Sequence, residues 1–221
     1  MNTIKSVLFA VLASLAFTSA SSAAGIGGVY LEVGSSAIGS ELDGKIVETA
    51  TTPNETTTGQ IGKTAVTSHY GLGFMTDRSR KFGLDLGYMW LPGSATIKSK
   101  TTDSTASNVT FEISDSTEYY IAPMLNITED ASIYVKYGET DSDIKVTGDV
   151  TKITSMSGDN VAIGTIMSWG SNLYIRTEAG KTDYDSLKVT GLGTAGGVET
   201  TTTVTADPSV HYGKIALGYK F

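Results

Sequence analysis

Over its last residues the chain alternates without a break, with Ile215, Leu217, Tyr219 and Phe221 on one side and Lys214, Ala216, Gly218 and Lys220 on the other. A period of two puts these sets on opposite faces of a strand, so one face is apolar and aromatic and the other is small or charged. Seven other segments repeat the pattern, at 29–34, 66–74, 82–90, 117–125, 131–138, 161–169 and 173–180. The clearest is 82–90, where Phe82, Leu84, Leu86, Tyr88 and Trp90 lie opposite Gly83, Asp85, Gly87 and Met89. No Lys, Arg, Asp or Glu falls on the apolar face of any of these cores.

The connectors alternate as sharply. Those at 75–81, 126–130 and 170–172 are short, while those at 39–63, 92–116, 139–160 and 181–209 are long. Short turns at one end and long polar loops at the other describe a transmembrane barrel with an even strand count. The expected fold is therefore all-β, an eight-stranded antiparallel up-and-down barrel whose apolar face meets lipid. Lipid offers no hydrogen bonds, so closure is what leaves no strand edge unsatisfied. A soluble barrel would instead have to enclose Phe74, Phe82, Tyr88, Trp90, Tyr119, Tyr137, Trp169, Tyr219 and Phe221, too many rings for eight strands.

The long connectors carry alternating Thr, Ile and Val at 96–100, 109–113, 143–154 and 198–204, which predicts strands running on beyond the membrane as hairpins. Disorder is the competing reading for the Thr-rich tracts 48–58 and 199–205. Pro123 is a weak point for a strand interior.

Residues 1–23 read as a secretion signal: Lys5 is the positive start, 7–17 the apolar core, and Ser21, Ser22 and Ala23 the small residues for cleavage. The core is too short to span a membrane as a helix. The barrel domain is then 24–221, and losing Lys5 takes the formal charge from −7 to −8. An acidic balance disfavours nucleic acid as a partner. The chain has no Cys, so neither a disulfide framework nor a lipid-modified cysteine is available. A mean hydropathy near zero suits a barrel in which every second residue is polar or small.

The segments FGLDLGYMW at 82–90 and ALGYKF at 216–221 resemble the small outer-membrane β-barrels of the OmpA and OmpX type, and the resemblance spans 24–221. It implies the outer membrane of a Gram-negative bacterium, with outer-membrane lipid and lipopolysaccharide as surroundings. It also implies that Ile215, Leu217, Tyr219 and Phe221 are the signal read by the outer-membrane assembly machinery. The peptidoglycan-binding domain that follows the barrel in OmpA-type proteins has no counterpart in this sequence, so attachment to the cell wall is not implied.

Two aromatic girdles are expected: Tyr70, Tyr88, Trp90 and Tyr137 toward the long loops, and Phe74, Phe82, Trp169, Tyr219 and Phe221 toward the short turns. Parity points Glu32, Asp85, Glu118, Lys136, Arg176, Glu178 and Lys214 inward. Glu118 with Lys136 and Glu178 with Lys214 fall on adjacent strands, and Arg176 is placed to reach Glu32 or Asp85 across the lumen. These charges read as a packed ionic plug, because an unpaired buried charge costs several kcal/mol. The inward glycines Gly71, Gly73, Gly83, Gly87, Gly164 and Gly218 leave a small water-filled pore as the alternative.

Chemistry is hard to place. His69 faces inward and its neighbour Ser68 outward, so the two cannot act as nucleophile and base; His211 faces outward. Asp141, Asp143, Asp183 and Asp185 read as solvated turns before Ca²⁺ ligands, and no cofactor is expected. Asn54, Asn108 and Asn126 head N-x-T triplets without consequence in a bacterium. Lys98, Lys100, Lys145 and Lys152 read as solvated loop charge, with lipopolysaccharide phosphate as a second use. The expected role is a monomeric, non-enzymatic barrel that supports the membrane and meets an unidentified extracellular ligand through acidic, Thr-rich loops. A small porin-like diffusion channel is the alternative, and a lipid-modifying enzyme comes third.

Overall fold

The structure, a computed structural model, describes residues 27–48, 55–98, 110–147, 151–195 and 198–221. The signal segment, Asn54, Asn108 and Lys100 lie outside them. Nine strands follow in sequence: β1 (Gly28–Glu48), β2 (Glu55–Met75), β3 (Phe82–Lys98), β4 (Thr110–Asn126), β5 (Ala131–Thr147), β6 (Ser155–Trp169), β7 (Leu173–Tyr184), β8 (Leu187–Ala195) and β9 (Val198–Lys220). Every pairing is antiparallel, and β9 returns to β1 to close the sheet. The barrel still has eight staves, because β8 carries on the line of β7: Asp183 faces Ser209 and, three residues past Tyr184, Leu187 faces Ala206 on the same β9.

Strands run well past the cores that period two marks out. β1 and β2 stay paired from Gly28 with Met75 up to Glu48 with Glu55. The tract 199–205 belongs to β9, between β8 and β1, which overturns the disordered reading there; Thr56, Thr57 and Thr58 likewise pair with β1. Thr and Val suit an extended backbone with one wet face, and the long β9 pairs with β8 and β7 on one side and with β1 on the other. Pro123 sits inside β4 opposite Leu84, and the ladder between β4 and β5 skips from Ile121 to Met124 at that point. Its missing N–H is tolerated because the adjoining pairs hold register.

Burial is inside out relative to a soluble barrel. Tyr30, Glu32, His69, Asp85, Lys136 and Arg176 are buried, while Phe82 is 71% exposed and Trp169 77%. Among the described residues no helix is long and apolar enough to cross a membrane; the crossing is made by strands. Beyond the membrane the arrangement reverses. Leu42, Phe111, Ile144, Val146, Met156, Leu187, Val189 and Ala206 gather inside the extended strands as a separate apolar core.

Candidate functional site: the lumen

Inward side chains stack in layers along the barrel axis. Nearest the short turns, Arg78 in the turn after β2 is buried. Its guanidinium donates to the Asp130 carbonyl at 3.5 Å and to the Ser168 hydroxyl. Burial lowers the Arg78 pKa, yet nearby Asp130 and Asp85 favour its charge. Asn126 and Ser132 are buried at the same end, with Ser132 donating to Asn126 Oδ1 at 2.6 Å.

The next layer is centred on Arg176. Its Nη2 is 2.8 Å from Asp85 Oδ2, its Nε 3.1 Å from Glu32 Oε2, and its Nη1 donates to the Tyr120 hydroxyl at 2.9 Å. Tyr30 donates to Asp85 Oδ1 at 2.8 Å and Tyr174 to Glu32 Oε2 at 3.0 Å. One cation thus sits between two carboxylates, and the Tyr30 and Tyr134 rings face it at 5.2 and 5.4 Å.

Above it Lys136 and Lys214 lie between Glu118 and Glu178. Lys136 Nζ is 2.7 Å from Glu118 and 2.5 Å from Glu178, and Lys214 Nζ is 3.2 and 3.4 Å from the same two carboxylates. Parity had paired Glu118 with Lys136 and Glu178 with Lys214; each lysine in fact bridges both acids. Tyr134 and Tyr212 donate to Glu178 at 2.8 and 3.0 Å, so the tetrad's charges are matched and extended by phenols. For buried side chains such matching decides whether charge is tolerable.

The inward glycines serve these layers. In the ladder Tyr30 faces Gly73, Tyr120 faces Gly87, Tyr134 faces Gly164, Tyr174 faces Gly218 and Tyr212 faces Gly180. A Cβ at Gly87 would lie 2.3 Å from Tyr120 Cζ, and one at Gly218 only 2.0 Å from Tyr174 Cζ. Each ring lies flat in the notch left by its cross-strand glycine. Four of the six glycines kept open for a pore therefore make room for tyrosines or their hydroxyls, and Gly71 is filled by Glu32. Parity marked these positions as small; only register reveals what fills them.

No protein-family model matches the sequence, and no curated protein is similar enough to match it. Solved structures do match. The outer membrane protein OprG from Pseudomonas aeruginosa aligns at a TM-score of 0.51 and 15% identity, over 89% of this chain and 97% of that one. AlkL, solved in lipid bilayers, aligns at 0.49 and 16% over 91% and 93%, and Neisserial surface protein A at 0.43 and 9% over 90% and 100%. The fold is that of a small eight-stranded outer-membrane β-barrel. The apolar belt on its outside and the ionic interior are what lipid demands of that fold, and they put the barrel in the outer membrane of a Gram-negative cell.

On the outside of this outer-membrane barrel the aromatic residues fall in two bands. Tyr70 and Trp90 meet at 5.8 Å and Tyr88 meets Tyr119 at 4.9 Å, with Tyr137 exposed nearby and donating to Asp159. Near the short turns Tyr219 and Phe221 meet at 5.1 Å, and Phe82 and Trp169 stand exposed. Tyr119 joins the outer band; Phe74 lies one residue from the end of β2, pairing with Leu86 on one side and on the other with Val29, whose carbonyl accepts from the Phe221 N–H. Ile215 and Leu217 are exposed on β9 between the bands.

His69 has a serine partner that parity within one strand could not find. Its Nδ1 lies 2.8 Å from Ser36 Oγ on β1, and both residues are buried. Among the described residues the ring donates no hydrogen bond to a carboxylate. Asp141 accepts from Ser157 at 2.7 Å, and Asp183 holds Lys181 at 2.6 Å at the surface. Among the described residues no group of three or more His, Cys, Asp or Glu is arranged to hold a metal ion.

Proposed function

We propose that this outer-membrane barrel is a sealed, non-enzymatic wall element whose working surface is the strand extension outside the cell. The observation that carries the reading is the pair of ionic layers: Arg176 with Glu32 and Asp85, then Lys136 and Lys214 with Glu118 and Glu178, all buried. An ion crossing the lumen would have to break several charge-assisted bonds at once in a dry interior. Above them the extended strands present Thr and acidic side chains to the medium, a surface for an extracellular ligand. The barrel works as a monomer, among lipid and lipopolysaccharide, after delivery by the outer-membrane assembly machinery that reads Ile215, Leu217, Tyr219 and Phe221.

Planar-bilayer recording of the refolded barrel tests the seal. The wild type is expected to show no stable conductance step, and Arg176→Ala with Lys136→Ala to open one. Steady conductance in the wild type would replace this reading with the small diffusion channel.

A further inference from the structure

At the short-turn end the charge changes sign. The chain as a whole is acidic, at −7, and beyond the outer girdle Glu139, Asp159 and Asp183 stand side by side on β5, β6 and β7. The turn after β2 instead reads TDRSRK over 76–81. Its Arg78 is buried, but Arg80 and Lys81 are exposed and make no ion pair among the described residues. Glu129 and Asp130 in the next turn do not reach them.

The backbone beneath these two cations is pinned. Thr76 N–H donates to the Leu84 carbonyl at 2.9 Å and Leu84 N–H to the Thr76 hydroxyl at 2.8 Å, which closes the turn. From the neighbouring hairpin Asn126 donates its side-chain amide to the Arg80 carbonyl at 2.6 Å and its N–H to the Lys81 carbonyl at 2.9 Å. Asp77, the one acid of the turn, accepts from the Ser79 N–H at 3.2 Å, and its charge attracts Lys220. The next residue, Phe82, is exposed toward lipid, with Lys81 Nζ 5.9 Å from its ring centre. Ile127 is exposed beside it, two places past Leu125, which faces Phe82 in the ladder. Unpaired cations thus stand at the bilayer surface on a fixed main chain, with bare apolar side chains directly below.

We propose that the turn between β2 and β3 binds an anionic phospholipid of the leaflet on the short-turn side, with the phosphate between Arg80 and Lys81 and an acyl chain along Phe82 and Ile127. A guanidinium takes two phosphate oxygens at once, and an ammonium adds a compact point charge. Near an anionic lipid surface each cation is worth about fivefold in affinity. Together they favour a head with net negative charge over a zwitterionic one by about 25-fold, because the amine of the zwitterion repels them. The site lies outside the lumen, so it does not depend on the seal proposed above.

The test uses the full barrel in phosphatidylcholine nanodiscs containing a rising fraction of phosphatidylglycerol, read by backbone amide NMR. Saturating shifts are expected at Ser79, Arg80, Lys81, Phe82 and Ile127. Arg80→Gln or Lys81→Gln alone should weaken binding about fivefold, and the two together about 25-fold, with the remaining amide spectrum reporting an intact fold. Lys145→Gln, in the strand extension at the other end, should leave binding unchanged. Shifts that rise in proportion to lipid without saturating, or unchanged affinity in the double variant, would overturn the site. So would the same shifts produced by inorganic phosphate in pure phosphatidylcholine discs, which would mean a free-anion site in place of a lipid site. A conducting barrel that still binds phosphatidylglycerol saturably would remove the sealed lumen and keep the lipid site.

Discussion

β5 passes through both halves of the molecule, and its two ends are built by opposite rules. In the lower half Ser132, Tyr134 and Lys136 point in while Ile133, Val135 and Tyr137 point out; in the upper half Ile144 and Val146 point in while Asp143 and Lys145 point out. Parity never changes along the strand. What changes is the solvent outside it, lipid below and water above, and the interior takes the chemistry the exterior cannot use. Below, the strands hold together by backbone ladders and matched charge, since lipid removes the hydrophobic gain from turning apolar groups inward. Above, an ordinary apolar core returns.

The largest effect should come from breaking the charge match in the lower half. Lys136→Met leaves Glu118 and Glu178 sharing Lys214 alone, and urea titration in lipid vesicles should show a loss of about 3 to 5 kcal/mol. A cost below about 1 kcal/mol would mean a solvated lumen and end the contrast between the halves. Next in size is the outer face: Leu86→Arg should cost about 2 to 4 kcal/mol near the midplane. The outward position 145 in the upper half already carries a lysine, so Lys145→Arg should be neutral in the same titration. Equal costs at the two sites would place the lipid boundary elsewhere.

Gly87→Ala separates sequence parity from packing. An inward glycine in an open lumen would accept a methyl freely, but here the Cβ collides with Tyr120, which bonds Tyr30 at 2.6 Å and Arg176 at 2.9 Å. A loss of about 1 to 3 kcal/mol is expected, with no loss overturning the notch. The smallest effect belongs to the surface: Asp183→Asn removes an exposed pair with Lys181 and should change stability by under about 1 kcal/mol, vanishing at high salt.

Which face each residue takes was legible in the alternation alone, because period two is a property of single strands. Glu118 and Arg176 could be assigned to the lumen for that reason. Partners were less legible. Ser36 and His69 are 33 residues apart and meet only because the β1–β2 register sets Ser36 opposite Thr67, two places from His69 and on the same face. The end of the β2–β3 ladder at Tyr70 and Trp90, just before Pro92, was hidden too, since a proline in a strand announces a lost bond without saying which neighbour loses it. A weak signal for the tyrosine layers was present: five inward tyrosines and still more inward glycines, whose matching needs the register.

The Arg176 layer has a consequence for how the barrel is made. Its members come from β1, β3, β4 and β7, and Tyr174 reaches Glu32 across 142 residues of chain. No hairpin contains a complete layer, so an unclosed sheet exposes carboxylates and a guanidinium that only the final joining of β9 to β1 can neutralise. Such distant contacts make folding slow and all-or-none. The growing sheet must keep its inner face wet until that last seam forms, so water is the last component to leave the barrel.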